Sequence, residues 1–94
     1  MQKSILKSIL FLLLPFVARS VIRPTRHYLE HHSDVGWEMV LLTVLSPSRT
    51  RPNTRLGEGR YTYIKYFKRS VIEVHVRVDN EENVWVINAF QHPR

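Results

Sequence analysis

Residues 71–78, VIEVHVRV, constrain the fold more than any other stretch, because apolar and polar side chains alternate strictly along them. Successive side chains of a β-strand point to opposite faces, so this segment is predicted to be a strand with one buried face. The apolar side consists of Ile72, Val74, Val76 and Val78. The polar side, which we expect near solvent, consists of Glu73, His75 and Arg77.

Two further strands are predicted beside this one. Residues 60–67, RYTYIKYF, are rich in the aromatic and β-branched residues that favour strands. Residues 84–90, VWVINAF, are nearly all apolar, which is typical of a central or well-covered strand. The connections at 68–70 and 79–83 are short and polar, so consecutive strands are expected to pair antiparallel.

Two helices are predicted before the strands. Thr25 can cap a short helix over residues 26–32, and a second helix over residues 35–46 ends before Pro47. Residues 46–59 contain two prolines and two glycines and are interpreted as a loop. The apolar face of the second helix consists of Trp37, Val40, Leu41, Val44 and Leu45.

These elements predict an α+β fold in which two N-terminal helices pack on a three-stranded or four-stranded antiparallel β-meander. Residues 21–94 would form this single domain. The chain has no cysteine, which excludes disulfides, thiolate catalysis and cysteine-based zinc sites. The absence of cysteine fits a cytoplasmic protein.

Residues 1–20 differ from the rest of the chain. Lys3 and Lys7 precede ten apolar residues at 9–18, a run too short to cross a bilayer as a helix. Three interpretations stay open: a signal peptide, which would direct secretion, a terminal helix that docks on the domain, or an extension from a misplaced start codon.

Positive charge is concentrated between Ser46 and Ser70. This segment has seven basic residues and one acid, Glu58, so its charge is 7 − 1 = +6, which equals the formal charge of the whole chain. A focused positive field attracts phosphates and anionic surfaces, although a solvated basic loop would have the same composition. The basic residues are Arg49, Arg51, Arg55, Arg60, Lys65, Lys68 and Arg69.

The segment 27-HYLEH-31 matches the H-x-x-E-H pattern of zinc peptidases. His27 and His31 are spaced to share one face of a helix. Catalytic zinc normally takes three protein ligands, and His75 or Asp34 would have to supply the third. Because the helix is short and this ligand is not evident, we predict no metal and no cofactor, and keep a zinc hydrolase as the third alternative.

Cleavage of RNA without metal is a second chemistry for which the residues are present. It needs a base, an acid and cations that stabilise the charge on phosphorus, roles that suit histidine and arginine. Tyrosine rings add surfaces on which bases stack, although packing within strands explains them equally well. The histidines are His27, His31, His32, His75 and His92, and the tyrosines are Tyr61, Tyr63 and Tyr66.

The runs TRHYLEHHSDVGWEMV, GRYTYIKY, VIEVHVRV and VWVINAF together resemble a group of small prokaryotic domains, the RelE and BrnT toxins of toxin–antitoxin modules. The resemblance covers about residues 21–90. It implies a small α+β fold that cleaves RNA without metal, with RNA, free or on the ribosome, and an antitoxin protein as partners. It also implies that His27, with His31 or His32 beside it, and Arg60 are functional, whereas His75 and Arg77 have no secure counterpart.

We therefore predict a toxin-like endoribonuclease. The alternative is a non-catalytic module of the same fold that binds nucleic acid or protein. The predicted catalytic residues are His27, His31, Arg60, His75 and Arg77. The predicted RNA-binding residues are Arg49, Arg51, Arg55, Tyr61, Tyr63 and Lys65.

Overall fold

The structure is a computed structural model that describes residues 21–94. The three interpretations of residues 1–20 therefore lie outside the described residues. The helices are α1 (Arg26–His31), α2 (Trp37–Leu45) and a short 3-10 helix (Thr54–Leu56). The strands are β1 (Ile22–Pro24), β2 (Arg49–Pro52), β3 (Arg60–Tyr66), β4 (Ser70–Val78) and β5 (Val84–Pro93).

The strands form one five-stranded mixed sheet in the order β1-β5-β4-β3-β2. Strand β1 pairs parallel with β5, and the other three pairs are antiparallel. The prediction of two N-terminal helices on a three-stranded or four-stranded antiparallel meander is therefore wrong. A strand precedes the first helix, and a further strand lies inside the segment interpreted as a loop.

Both unpredicted strands are short edge strands held mainly by backbone hydrogen bonds. Ile22–Pro24 has only three residues, and the four residues of Arg49–Pro52 are all exposed. Strand β2 buries no side chain, and Ile22 is the single apolar residue of β1 that packs against the core, so neither segment is long enough to show the alternation by which a strand is recognised. Proline at the end of each fits an edge position, where the missing N–H removes no ladder bond from the interior of the sheet.

The core lies between the helices and one face of the sheet, which we call the covered face. Burial of alternate residues confirms the pattern predicted for β4, because Ile72, Val74 and Val76 are almost completely buried. Helix α2 packs on β3 and β4, while α1 lies against β5. The helical and linker residues of this core are Tyr28, Val35 and Val40.

The two helices are fixed by local hydrogen bonds as well as by packing. The Thr25 hydroxyl accepts from the backbone N–H of Tyr28, which confirms Thr25 as the predicted cap of α1. The Tyr28 hydroxyl donates to the Val35 carbonyl at 2.5 Å in the buried interior. This bond ties α1 to the segment that leads into α2. Burial, followed by the nearby charge of Asp34, raises the pKa of Tyr28 above its ordinary value.

Within residues 21–94, neither α-helix packs on the opposite face of the sheet, and we call it the open face. Its side chains follow from strand register, because residues directly opposite each other in antiparallel strands point to the same side. They are Arg49 and Arg51 on β2; Arg60, Thr62, Ile64 and Tyr66 on β3; Val71, Glu73, His75 and Arg77 on β4; Trp85, Asn88, Phe90 and His92 on β5. Arg23 on β1 joins them beside Trp85.

No helix within residues 21–94 has the length and apolar character needed to cross a membrane.

Candidate nucleic-acid interface

Five arginines occupy the open face. Arg49 and Arg51 lie on the edge strand β2, Arg60 and Arg77 face each other across β3 and β4, and Arg23 lies on β1. Within the described part of the chain, none of these five forms an ion pair with a carboxylate. This face therefore presents guanidinium groups whose charge is not compensated by a carboxylate of the described residues.

The opposition of Arg60 and Arg77 is informative because like charges placed directly across two strands destabilise a sheet. Natural sheets usually place opposite charges or uncharged pairs at such positions. An anion bound between the two guanidinium groups would relieve this repulsion, and a phosphate matches the planar fork of arginine. The pair is thus the part of the open face best suited to a phosphate.

Aromatic rings lie among the cations. The Arg23 guanidinium lies 5.7 Å from the ring centroid of Trp85. The Arg94 guanidinium lies 5.1 Å from the ring of Tyr66, at the other end of the face. Rings and guanidinium planes of this kind are the surfaces on which unpaired bases stack.

Three of the five histidines surround Phe90, and the other two extend the group along α1. The rings of His32 and His75 lie edge-on to Phe90 at 5.0 and 5.4 Å between centroids, and the ring of His92 is stacked at 6.3 Å. His27 joins the group through His32, at 5.1 Å between ring centroids, and His31 lies 4.9 Å from His27. Helix α1 and strands β4 and β5 thus contribute to one histidine cluster.

His75 is held on both sides of its ring. Its Nε2 lies 2.6 Å from Oε2 of Glu73, and its Nδ1 lies 3.2 Å from the amide nitrogen of Asn88. A carboxylate accepts and an amide N–H donates, so the neutral ring carries its proton on Nε2. Both ring nitrogens of His75 thus already have hydrogen-bond partners. Because neither is free, His75 fits a positioning role better than direct proton transfer.

A bulge in β5 makes the Asn88 contact possible. The register runs from His75 opposite Asn88 directly to Val76 opposite Val86, which leaves Ile87 as an extra residue. Because of this extra residue, Val86 and Ala89 both face the core. Bulges are frequent beside functional sites, where they re-aim a side chain. Here the bulge places Asn88 on the open face, beside His75.

The first-helix histidines lie at the edge of β5. Nδ1 of His32 lies 3.1 Å from the carbonyl oxygen of Ala89, and Nε2 of His32 lies 3.3 Å from Nε2 of His27. A carbonyl only accepts, so Nδ1 of His32 carries a proton and Nε2 of the neutral ring keeps a lone pair. His27 and His31 are exposed, whereas His32 is half-buried against Phe90.

The predicted site residues separate into two groups. Arg49, Arg51, Arg60, His75 and Arg77 share the open face, and the 3-10 helix carries Arg55 as an exposed residue. His27 and His31 lie beside this face on α1. By contrast, Tyr61, Tyr63 and Lys65 lie on the covered face.

The three residues on the covered face have structural contacts there. Tyr61 and Tyr63 pack against the core, and the Lys65 ammonium donates to the Ser46 carbonyl at the end of α2 at 2.6 Å. Burial, followed by the neighbouring Tyr61, raises the pKa of Tyr63. These contacts remove the three side chains from the surface on which the arginines lie.

Sequence reasoning did not single out Arg23, Trp85, Asn88 or Phe90 as site residues. Their roles depend on the bulge in β5 and on the parallel pairing of β1, and the parallel pairing leaves no mark in the local sequence. One sequence signal could have indicated their common face. Residues of the two faces alternate over 84–86 and, after one extra residue, alternate again over 88–92.

A depression of about 530 Å³ lies at the hairpin end of the sheet, between Arg77, Asp79 and Tyr61. The Asp79 carboxylate accepts from Nε1 of Trp85 at 2.9 Å and from backbone N–H groups of Glu81 and Asn83. The hydrogen bond from Trp85 is the largest cause that lowers the pKa of Asp79 to about 2. Asp79 thereby fixes the indole on the open face.

Among residues 21–94, no three His, Asp or Glu side chains converge in a way that could hold a metal ion. The zinc-peptidase interpretation of HYLEH thus lacks a third protein ligand in the described residues. Comparison of the chain with protein-family models, with curated proteins and with solved structures finds no match in any of the three.

Proposed function

We propose that this protein binds single-stranded RNA across the open face of its sheet. The observation that carries the proposal is the placement of five arginines on the open face. Within residues 21–94, no α-helix packs on this face and none of the five arginines is ion-paired. Phosphates would bind the guanidinium groups, foremost between Arg60 and Arg77. RNA is chosen among polyanions because of the resemblance to toxins that act on RNA.

A single strand fits this face better than a duplex. The open face is a sheet surface with separated rings, Trp85 at one end and Tyr66 at the other, each with an arginine beside it. Unpaired bases can stack on these rings while the backbone follows the arginines of β2, β3 and β4. A duplex would offer its phosphates but no exposed base faces.

The direct test compares two double variants of equal charge change. Arg51→Gln with Arg77→Gln removes two cations from the open face, and Arg26→Gln with Lys68→Gln removes two cations outside it. Fluorescence anisotropy with a labelled single-stranded RNA should show that the first variant binds roughly 10- to 100-fold more weakly, since a hydrogen bond to a charged group contributes about 1.5–3 kcal/mol before solvent exposure reduces it. Equal loss in both variants would reject the open face as the binding surface.

Metal-independent cleavage of the bound RNA is a second candidate, favoured by the histidine cluster beside the arginines. If His27 donates through Nε2 to His32, its Nδ1 keeps a lone pair that can take the proton of a 2′-hydroxyl. The 2′-oxygen would attack phosphorus, a protonated histidine such as His92 would give a proton to the leaving 5′-oxygen, and Arg60 with Arg77 would stabilise the phosphorane charge. The products would end in a 2′,3′-cyclic phosphate and a 5′-hydroxyl.

Cleavage can be tested separately from binding. RNA incubated with the protein in a metal chelator should yield fragments with these ends, and His27→Ala should reduce the rate without weakening binding. If the wild type and His27→Ala both bind RNA and both leave it intact, the protein is a binding module and the catalytic candidate is rejected.

A further inference from the structure

We propose that His27 and His32 bind a divalent transition-metal ion, Zn²⁺ or Cu²⁺, through their Nε2 atoms. These two nitrogens lie 3.3 Å apart. The rings of His27 and His31, the pair expected from HYLEH, lie 4.9 Å apart between centroids, and no hydrogen bond joins them within residues 21–94. The proposed site is distinct from the RNA-binding surface and does not rest on the proposed function.

The separation of the two rings matches chelation better than a direct hydrogen bond. Two imidazoles on one tetrahedral zinc, with Zn–N of about 2.05 Å, have their bonded nitrogens about 3.3 Å apart and their centroids about 5.2 Å apart. A head-on N–H···N bond with the same nitrogen separation would place the centroids about 5.6 Å apart. The centroids of His27 and His32 lie 5.1 Å apart, with the rings tilted by 46°. Both lone pairs can therefore point at a common position beside the rings.

Nδ1 of His32, the ring nitrogen that would not bind the metal, makes the hydrogen bond that is usual for a histidine ligand. Histidine ligands nearly always donate their other ring N–H to a carbonyl or carboxylate, which fixes the tautomer and the ring orientation. Nδ1 of His32 makes this bond to the Ala89 carbonyl, and the ring is also fixed edge-on against Phe90. The backbone N–H of His32 donates to the Tyr28 carbonyl at the end of α1. One ligand is thus positioned before any metal binds, and the exposed His27 completes the pair.

Only two protein ligands are proposed, because no third His, Asp or Glu converges on them within residues 21–94. Water would fill the remaining positions of the metal. Imidazole nitrogens favour Zn²⁺ and Cu²⁺, whereas Mg²⁺ and Ca²⁺ prefer oxygen ligands. The site should therefore bind its metal exchangeably and discriminate against Mg²⁺. A metal bound through Nε2 of His27 would leave the proton of that neutral ring on Nδ1, the nitrogen assigned to proton transfer in the cleavage candidate. Zn²⁺ should therefore inhibit any cleavage and leave RNA binding intact.

The test is isothermal titration calorimetry of the full chain with zinc chloride alone, and with magnesium chloride as the control ion. The wild type should bind one Zn²⁺ per chain and no Mg²⁺. His27→Gln and His32→Asn should each bind Zn²⁺ at least about 10-fold more weakly, a loss of about 1.4 kcal/mol. His31→Gln is the matched control and should keep the wild-type affinity, because it removes a neighbouring histidine of α1 that the proposal does not use.

Three results would overturn the proposal. They are no binding by the wild type at up to about 1 mM Zn²⁺, unchanged binding by His27→Gln, and loss of binding by His31→Gln but not by His32→Asn. Circular dichroism of each variant checks that it is folded. Because His27 is exposed, His27→Gln decides the question even if His32→Asn unfolds.

Discussion

The proposed binding of RNA to the open face makes a quantitative prediction about its salt dependence. Each phosphate neutralised on a single strand contributes about −0.7 to the slope of log K against log salt concentration. The five arginines of the open face, Arg23, Arg49, Arg51, Arg60 and Arg77, would therefore give a slope of about −3.5 if all contact phosphates. Raising the salt concentration from about 50 to about 200 mM should then weaken binding about 100-fold.

The contribution of each arginine to this slope can be tested by substituting one arginine at a time. Arg51→Gln should reduce the magnitude of the slope by about 0.7. Arg26→Gln should leave the slope unchanged, because Arg26 lies on α1 and its guanidinium is 3.9 Å from the Glu30 carboxylate. The assay is fluorescence anisotropy of labelled single-stranded RNA at four or more salt concentrations. A flat profile, or an equal change in slope for both variants, would refute the assignment of phosphates to the open face.

Three further predictions concern the scaffold. Tyr28→Phe removes the donor to a buried carbonyl and should lower the free energy of unfolding by about 1–3 kcal/mol in urea denaturation. Gly59→Ala should destabilise more than Gly57→Ala in the same assay: both glycines have positive φ, but only at Gly59 would a Cβ meet a backbone oxygen, at 2.6 Å. The folded-state pKa of Asp79 is below its ordinary value, so its stabilising effect is present above about pH 4 and is lost as pH falls towards 2. The indole N–H resonance of Trp85 should report this loss, and Asp79→Asn should remove the pH dependence.

The parts of the fold that bury apolar side chains could be predicted from the sequence. Strand β4 was predicted with its buried side, and α1 was predicted with Thr25 as its cap. Helix α2 begins two residues later than predicted, at Trp37. Strands β1 and β2 could not be predicted because they are short and are held mainly by backbone pairing, with Ile22 alone packing against the core. Missing β1 also hid the one parallel pair and led to the wrong meander.

The site was predictable by residue type but not by position. The basic segment does contribute Arg49, Arg51 and Arg60 to the open face. The face of each β3 side chain depends on its register with β4, and the composition RYTYIKYF is compatible with either choice. As a result the tyrosines Tyr61 and Tyr63, predicted to stack on bases, lie on the covered face instead.

The histidine cluster depends on contacts between residues far apart in the chain. His32 meets Ala89 and Phe90 only because β1 places the start of α1 beside β5. His75 meets Asn88 only because β5 contains a bulge. Spacing within HYLEH suggested that His27 acts with His31, whereas in the described residues the ring nitrogen of His27 lies within hydrogen-bond distance of His32.

The two tryptophans allow the most direct measurement of the central claim, that RNA binds the open face. Trp85 lies on the open face beside Arg23, and Trp37 packs against Tyr28 on the helical side. Their indole N–H groups give two separate resonances in a ¹H–¹⁵N correlation spectrum, assigned with Trp37→Phe. On titration with single-stranded RNA, the Trp85 resonance should shift and the Trp37 resonance should stay in place. A shift of Trp37 alone, or of neither resonance when anisotropy shows the RNA bound, would contradict the account.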